Sequence, residues 1–334
     1  MQATRTRLPD GRWHFQHGPI DIVIGADGMS SAARAGAGPG AHAGDQAGAP
    51  DSDAVHEAHE AAWSRFQPLL AELVDELTPL RAPIATEGEP ACALRGDVAR
   101  RMWHAARPFA RRGFFITPMV AVAGAVAQEL VACYDRPGIA RAWINNGGDI
   151  ALHLAPGASV SVGLFADLAR LDAAQVLEGL TLDGRFEVSH RLPVRGIATS
   201  GWRGRSFSLG IADSVTVLAA TAAQADAAAS IIANAVNLDH PGIVRRPAQE
   251  LRDDSDLGAI PVTVEVPRLR PTEVREALEA GRRRALACQA AGLIMGAVLH
   301  CQSQWSVVGV PAALEADGGV STDGAHAPSG SVFA

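Results

Sequence analysis

The chain has no lysine: all 29 of its basic residues are arginine. Schiff-base chemistry, pyridoxal-phosphate attachment and the phosphate-loop lysine are therefore excluded. Aromatics make up only 5%, with a single tyrosine, while alanine and glycine abound, so the core is built from small side chains that let backbones approach closely. The cysteines Cys92, Cys133, Cys288 and Cys301 form no Cys-x-x-Cys pair. A chain this long needs no disulfide staples, and reduced, mostly buried thiols are expected. Long apolar runs are also missing. The longest, residues 114–127, spans 14 positions and contains Thr117 and Pro118, whereas a membrane helix needs about 20. Arginines near the N-terminus are followed by no apolar stretch, so a cytoplasmic, soluble protein without a signal peptide is expected.

What is present is a chain of 334 residues, 48% hydrophobic, with a formal net charge of −7. Mild acidity argues against a nucleic-acid partner. Segments of alternating hydrophobicity mix with helical ones in no regular βαβ rhythm. The expected class is α+β, with mixed β-sheets packed against Ala/Gly-rich helices. Residues 1–25 read as N-terminal strands around a turn at Asp10-Gly11. Residues 26–52, mostly Ala, Gly, Ser and Pro, read as a flexible insert. Residues 53–314 read as one α+β domain, and residues 315–334 as a disordered tail.

Helices are expected over 53–77, with a kink or break at Pro68, over 119–133, 172–180 and 222–236, and over 272–288 with Thr272 as cap. Strands are expected over 18–25, 159–165, 185–191, 214–219 and 261–266. Residues 141–154 form a strand, tight turn and strand, and residues 292–300 fit helix or strand. His56 and His59, one helical turn apart, are half a metal site or, given the flanking Glu57 and Glu60, a solvated face; the face is favoured. The arginines of residues 100–112 likewise read mainly as a solvated face.

Three stretches carry candidate chemistry. Asn146, Gly147, Gly148 and Asp149 form a glycine turn whose backbone N–H groups can meet a ligand, although Asn-Gly also marks an ordinary hairpin. Thr199, Ser200 and Gly201, followed by Arg203, Arg205, Ser206 and Ser208, offer hydroxyls, free N–H groups and arginines suited to a pyrophosphate, or a surface loop of turn formers. Asp226 and Ser230 lie at i and i+4, so both oxygens project from one helix face, as hard ligands for Mg²⁺ or as an exposed polar pair. A Ser–His–Asp hydrolase lacks its Gly-x-Ser-x-Gly stretch. A dinucleotide fingerprint at Gly36, Gly38 and Gly40 falls in the low-complexity insert.

Five segments occur in order: ITPMVAVAGAVAQ (116–128), INNGGDI (144–150), GIATSG (196–201), SFSLGIADSVTVLA (206–219) and ADAAASIIANAV (225–236). Together they resemble the ApbE-like superfamily, and most of all its short uncharacterised cytoplasmic branch. The better-known branch comprises FAD:protein FMN transferases, which use FAD and Mg²⁺ and attach FMN to a Thr or Ser of a protein target.

The resemblance implies an ApbE-like fold, a nucleotide-like small-molecule ligand, FAD and Mg²⁺. It places Asn146, Gly147, Gly148, Asp149, Thr199, Ser200 and Gly201 at the cofactor, and Asp226 and Ser230 at the metal; Arg205 and Ser206 are expected at the cofactor from the anion-binding character of their own loop. It also implies a protein target, and leaves open a non-transferase cofactor-binding or maturation protein on the same scaffold. The chain departs from the transferases at residues 121–127, which lack their Lys, Tyr and Asp, and at residues 209–213, where only Asp213 matches their His-Ile-Ile-Asp-Pro stretch. Arg205 stands where many relatives carry His, and an arginine cannot act as a base near neutral pH. No membrane partner is expected, and the oligomeric state stays open, a homo-oligomer included.

Overall fold

A computed structural model describes residues 2–29, 52–88, 91–164, 184–253, 255–309 and 331–333. Its centre is a sheet of nine strands, all neighbours antiparallel, in the order β1-β2-β3-β4-β5-β8-β9-β12-β13. The strands are β1 (Thr4–Arg7), β2 (Trp13–His17), β3 (Ile20–Gly28), β4 (Ile139–Asn146), β5 (Asp149–Leu154), β8 (Gly196–Ser200), β9 (Ser214–Ala219), β12 (Gly296–Cys301) and β13 (Gln304–Val308). A small sheet holds β6 (Ser159–Leu164) between β7 (Gly184–Ser189) and β14 (Ser331–Phe333), and β10 (Val244–Pro247) pairs with β11 (Pro261–Glu265).

The two-residue period of a strand sorts side chains to opposite faces. Ile144, Ala151, Ala198, Val215, Val217 and Leu299 point to one face and join the main core. The longer helices among the described residues pack onto that core: α1 (Asp53–Asp75), α2 (Asp97–Ala110), α3 (Val122–Val131), α4 (Ala222–Ala235) and α5 (Pro271–Ala290). Trp143, Ile150, Leu152, Ile197, Leu218 and Val298 point the other way and pack with Val160, Val162, Phe186 and Val188 of the small sheet. The chain is therefore three layers thick, helices, large sheet and small sheet, and the α+β class holds. Alanine dominates the buried face of α4, which lets that helix lie close to both α3 and the sheet.

Several local expectations are corrected. Strand β3 runs on to Gly28 and pairs with β4, so residues 26–28 belong to the sheet rather than to the flexible insert. Within the stretch expected as a disordered tail, Ser331–Phe333 pair in parallel with β6. Helix α1 passes through Pro68 unbroken; Pro68 and Ser64 are exposed, so the carbonyl that loses its N–H partner meets water. Thr272 is not the cap of α5: Pro271 opens that helix and Glu273 accepts the Arg270 N–H at 2.8 Å.

Residues 296–301 are strand, and β10 and β13 are additional strands. His59 is buried, not solvated, and its Nδ1 lies 2.6 Å from the hydroxyl of Tyr134, the only tyrosine. Arg107 is buried too, whereas Arg100, Arg111 and Arg112 are exposed as expected. The four cysteines are free thiols, two buried and two partly so. The helix expected over 172–180 lies outside the described residues, as do residues 30–51.

Glu76 shows how the helical layer is pinned. Helix α2 begins after Gly96, which has no side chain to cap it. The buried carboxylate of Glu76 instead accepts the N–H groups of Arg95 and Gly96, each at 2.7 Å. Burial pushes this carboxyl up, but the two backbone donors pull it further down, to below its usual value. A depressed carboxylate stabilises the fold above its unfolded pKa and loses that contribution as pH falls through the folded one. Glu76→Ala is expected to cost about 1.5–3 kcal/mol near neutral pH. The difference from the wild type, measured by urea unfolding, shrinks below pH ~4.

Candidate functional site

The strand registers gather the polar segments at one end of the large sheet. Asn146 faces Asp149 across the β4–β5 turn, Ser200 ends β8 beside it, and the loop 201–213 returns from there to β9. Gly147 and Gly148 have φ of +69° and +108°, a backbone region that favours glycine, which closes a two-residue hairpin. The Asn145 side chain accepts the Gly148 N–H at 2.8 Å and fixes the turn.

Asp149 opens β5 with its side chain toward the helices. There it meets Asp226 of α4, whose carboxyl is close enough to disfavour a charge on Asp149. Asp226 also faces the first turn of α3. The N–H of Gly124 donates to its Oδ2 at 2.9 Å, and the Ala123 N–H donates as well. These donors would otherwise be unpaired at a helix start, so Asp226 caps α3 from a different helix. The Asn146 amide donates to the Ala123 carbonyl at 3.1 Å, which ties the hairpin to the same turn.

Helices α3 and α4 touch closely here because residue 124 is glycine. A Cβ at that position would lie 2.3 Å from the Ala222 carbonyl oxygen and 2.9 Å from the Asp226 Cβ.

Burial, acting against the two backbone donors, pushes the Asp226 carboxyl up to about 7. Asp149 is raised well above the usual carboxylate range by burial first and by the neighbouring Asp226 second, with the Thr199 N–H pulling the other way. Among the described residues no arginine pairs with either. Two adjacent carboxylates in a partly dry setting without a cation form a site that gains from one.

Among the described residues, no group of three or more His, Cys, Asp or Glu side chains could hold a metal alone. A cation here would take Asp149 and Asp226, with the Ser230 hydroxyl one turn along α4, and draw its other oxygens from water or phosphate. That donor set of few hard oxygens fits Mg²⁺.

The other sequence candidates are placed as follows. The Thr199 hydroxyl lies 2.8 Å from that of Thr216, on the face away from the helices. Gly201 is buried against the Asp213 carbonyl. Arg205 is exposed over Gly147 at the hairpin tip, and Ser206 is exposed beside it in the loop. The structure thus joins Asp149, Asp226, the Thr199 N–H and Asn146 around the start of α3, and keeps Arg205 and Ser206 at the outer rim. Ala123 and Gly124 are additions to the site that act only through backbone N–H groups. Asp213 is a buried anchor: it accepts the Gln302 N–H at 2.6 Å and the Trp202 indole N–H at 3.2 Å.

A family model described as AbpE bacteria matches residues 5–307 of the 334. The chain belongs to this ApbE-like family. A UPF0280 protein of Methanopyrus kandleri is 38% identical over 178 residues, covering 52% of this chain and 61% of the relative. A UPF0280 protein of Methanothermobacter thermautotrophicus is 37% identical over 153 residues, covering 46% and 54%. The chain therefore spans less than two thirds of the length of these curated relatives. The crystal structure of an ApbE protein from Thermotoga maritima matches with a TM-score of 0.33 at 13% identity, covering 89% of this chain and 94% of that one. No helix among the described residues is long and apolar enough to cross a membrane.

The carboxylate pair generates a pH prediction. A carboxyl raised in the folded state contributes stability below its unfolded pKa and loses it as pH rises toward the folded value. For Asp226 that window runs from 3.8 to about 7. The metal-free protein is expected to lose several degrees of melting temperature across this window. Asp226→Asn, which keeps an acceptor for the Gly124 N–H, flattens that slope. Scanning calorimetry of both proteins at stepped pH checks it.

Proposed function

We propose that this protein binds a flavin dinucleotide together with Mg²⁺ at the Asp149–Asp226 pair, and that it supports FMN-transferase-type chemistry on a protein hydroxyl. The observation that carries the reading is the pair itself: two partly buried carboxylates, paired with no arginine among the described residues, set between the first turn of α3 and a glycine hairpin. Asp149 and Asp226 would hold the cation, with the Ser230 hydroxyl of the same helix as a further oxygen donor. Mg²⁺ bound there would supply charge neutralisation for a pyrophosphate.

The chain's own residues do the rest. The hairpin lets a ligand approach the backbone at Gly148, where nothing lies within 4 Å of the position a Cβ would take, while Arg205 lies over Gly147. Arg205 stands at the rim as a permanent cation for anionic oxygen. Backbone N–H groups of Ala123 and Gly124 fix one edge of Asp226, so that carboxylate is oriented before any ligand arrives.

A second reading, cofactor binding without turnover, is favoured by one feature. Among the described residues no histidine joins the pair, the chain has no lysine, and a cation would engage both Asp149 and Asp226, which leaves neither carboxylate free as a base for an acceptor hydroxyl.

The experiment is thermal unfolding with FAD, with and without Mg²⁺. Ligand at about 100 times its dissociation constant stabilises the folded state by about 2.7 kcal/mol. The expected result is a rise in melting temperature with FAD that requires Mg²⁺ and disappears in Asp226→Ala. An equal rise without Mg²⁺, or one retained by Asp226→Ala, overturns the reading. Release of AMP from FAD in the presence of an acceptor protein separates transfer from binding alone.

A further inference from the structure

Asp21 lies on β3, far in sequence from every segment of the site. Its neighbour Ile22 pairs with Asn146, so Asp21 stands one step further along, level with the tip of the Gly147–Gly148 hairpin. It faces away from the helices, because Ile20, Ile22 and Ile24 occupy the helix side.

Two contacts define its surroundings. The His14 Nε2 lies 2.6 Å from Asp21 Oδ1. Arg205 Nη2 lies 3.7 Å from Asp21 Oδ2. The other terminal nitrogen of that guanidinium, Nη1, is 3.3 Å from where a Gly147 Cβ would stand. The Arg205 guanidinium thus lies between Asp21 and the bare backbone of the turn.

We propose that Asp21, steadied by His14, is a positioning residue that holds the Arg205 guanidinium over the Gly147 hairpin, ready for the anionic oxygens of a pyrophosphate-bearing ligand. This rests on the reading of the site given above. Arg205 has a side chain 68% exposed, and a long exposed side chain loses rotamer freedom when it clamps an anion. A carboxylate that already confines it removes part of that cost. The guanidinium carries five N–H donors in a planar fork, so the edge turned to Asp21 leaves other donors for a ligand. His14 occupies the opposite oxygen of Asp21 and limits its rotation. A lysine would bring a point charge with three rotatable donors, without the planar fork that lets one edge dock on Asp21 while another faces a ligand.

The test uses the full chain with Mg²⁺ and inorganic pyrophosphate, followed by calorimetry. An exposed ion pair is worth little in itself, so Asp21→Asn is expected to weaken pyrophosphate binding about two- to five-fold, equivalent to about 0.4–1 kcal/mol. Arg205→Ala weakens it at least as much. In the Arg205→Ala background Asp21→Asn has no further effect, which a general structural role for Asp21 would not produce. Asp21→Glu restores most of the loss. A second readout needs no ligand: ¹⁵N relaxation at the Arg205 Nε is expected to show greater mobility in Asp21→Asn.

Unchanged or tighter binding in Asp21→Asn, while Arg205→Ala weakens it, overturns the role of Asp21 and leaves the site reading standing. Additive losses in the double variant overturn it as well. A wild type that does not bind Mg²⁺-pyrophosphate overturns the site reading. The relaxation measurement then decides the Asp21–Arg205 coupling alone, with unchanged mobility counting against it.

Discussion

The contact between α3 and α4 at Gly124 sets the distance on which the site depends. Only a glycine fits against the Ala222 carbonyl, and only at that separation does the first turn of α3 reach the Asp226 carboxylate. The same turn holds Asn146 through the Ala123 carbonyl. One close helix crossing therefore fixes the positions of Asp226 and of the hairpin that carries Asp149. The alanine content of α4 serves the same end, because larger side chains would lift the helix from both neighbours.

That arrangement keeps two carboxylates together at an energetic cost. Burial and mutual repulsion disfavour the charged pair, and the backbone donors at Asp226 offset part of this. Structures keep such uncompensated groups most often where they bind or react. The rim is arranged differently: the side chains of Arg205, Asp21 and His14 lie in reach of water, where each interaction is weak and adjustable. Inner carboxylates fixed by backbone and an outer arginine steered by an exposed acid divide the work between rigidity and adaptability.

Much of this was legible in the sequence, for identifiable reasons. Asn-Gly-Gly-Asp can hardly be other than a tight turn, and the spacing of Asp226 and Ser230 follows from helical geometry. The alternation within residues 141–154 and 214–219 gave the central strands. What could not be read is pairing between distant segments. Nothing in the sequence says that Asp149 meets Asp226. Ala123 and Gly124 contribute only backbone N–H groups, so no residue type announces them. Asp21 looks like the polar face of a strand until its register with β4 is known. His59 carried a misleading signal: the flanking glutamates favoured a wet face, but its helical position turns it inward to Tyr134. Pro68 misled for the opposite reason, because a proline on a solvent face leaves its lost carbonyl bond to water.

The join between β3 and β4 has a consequence for handling the protein. Gly28 pairs near Ile139, so the first three strands reach the sheet only after the whole helical segment between them has been laid down. Strand β4 is eight residues long and largely buried, with Trp143 and Ile144 on opposite faces. A chain that lost its first three strands would present β4 as a long, apolar, unguarded edge. Such edges recruit other strands. The short first strand, with its exposed Arg7 and threonines, is thus the guard that keeps the large sheet from extending into a neighbouring molecule on that side.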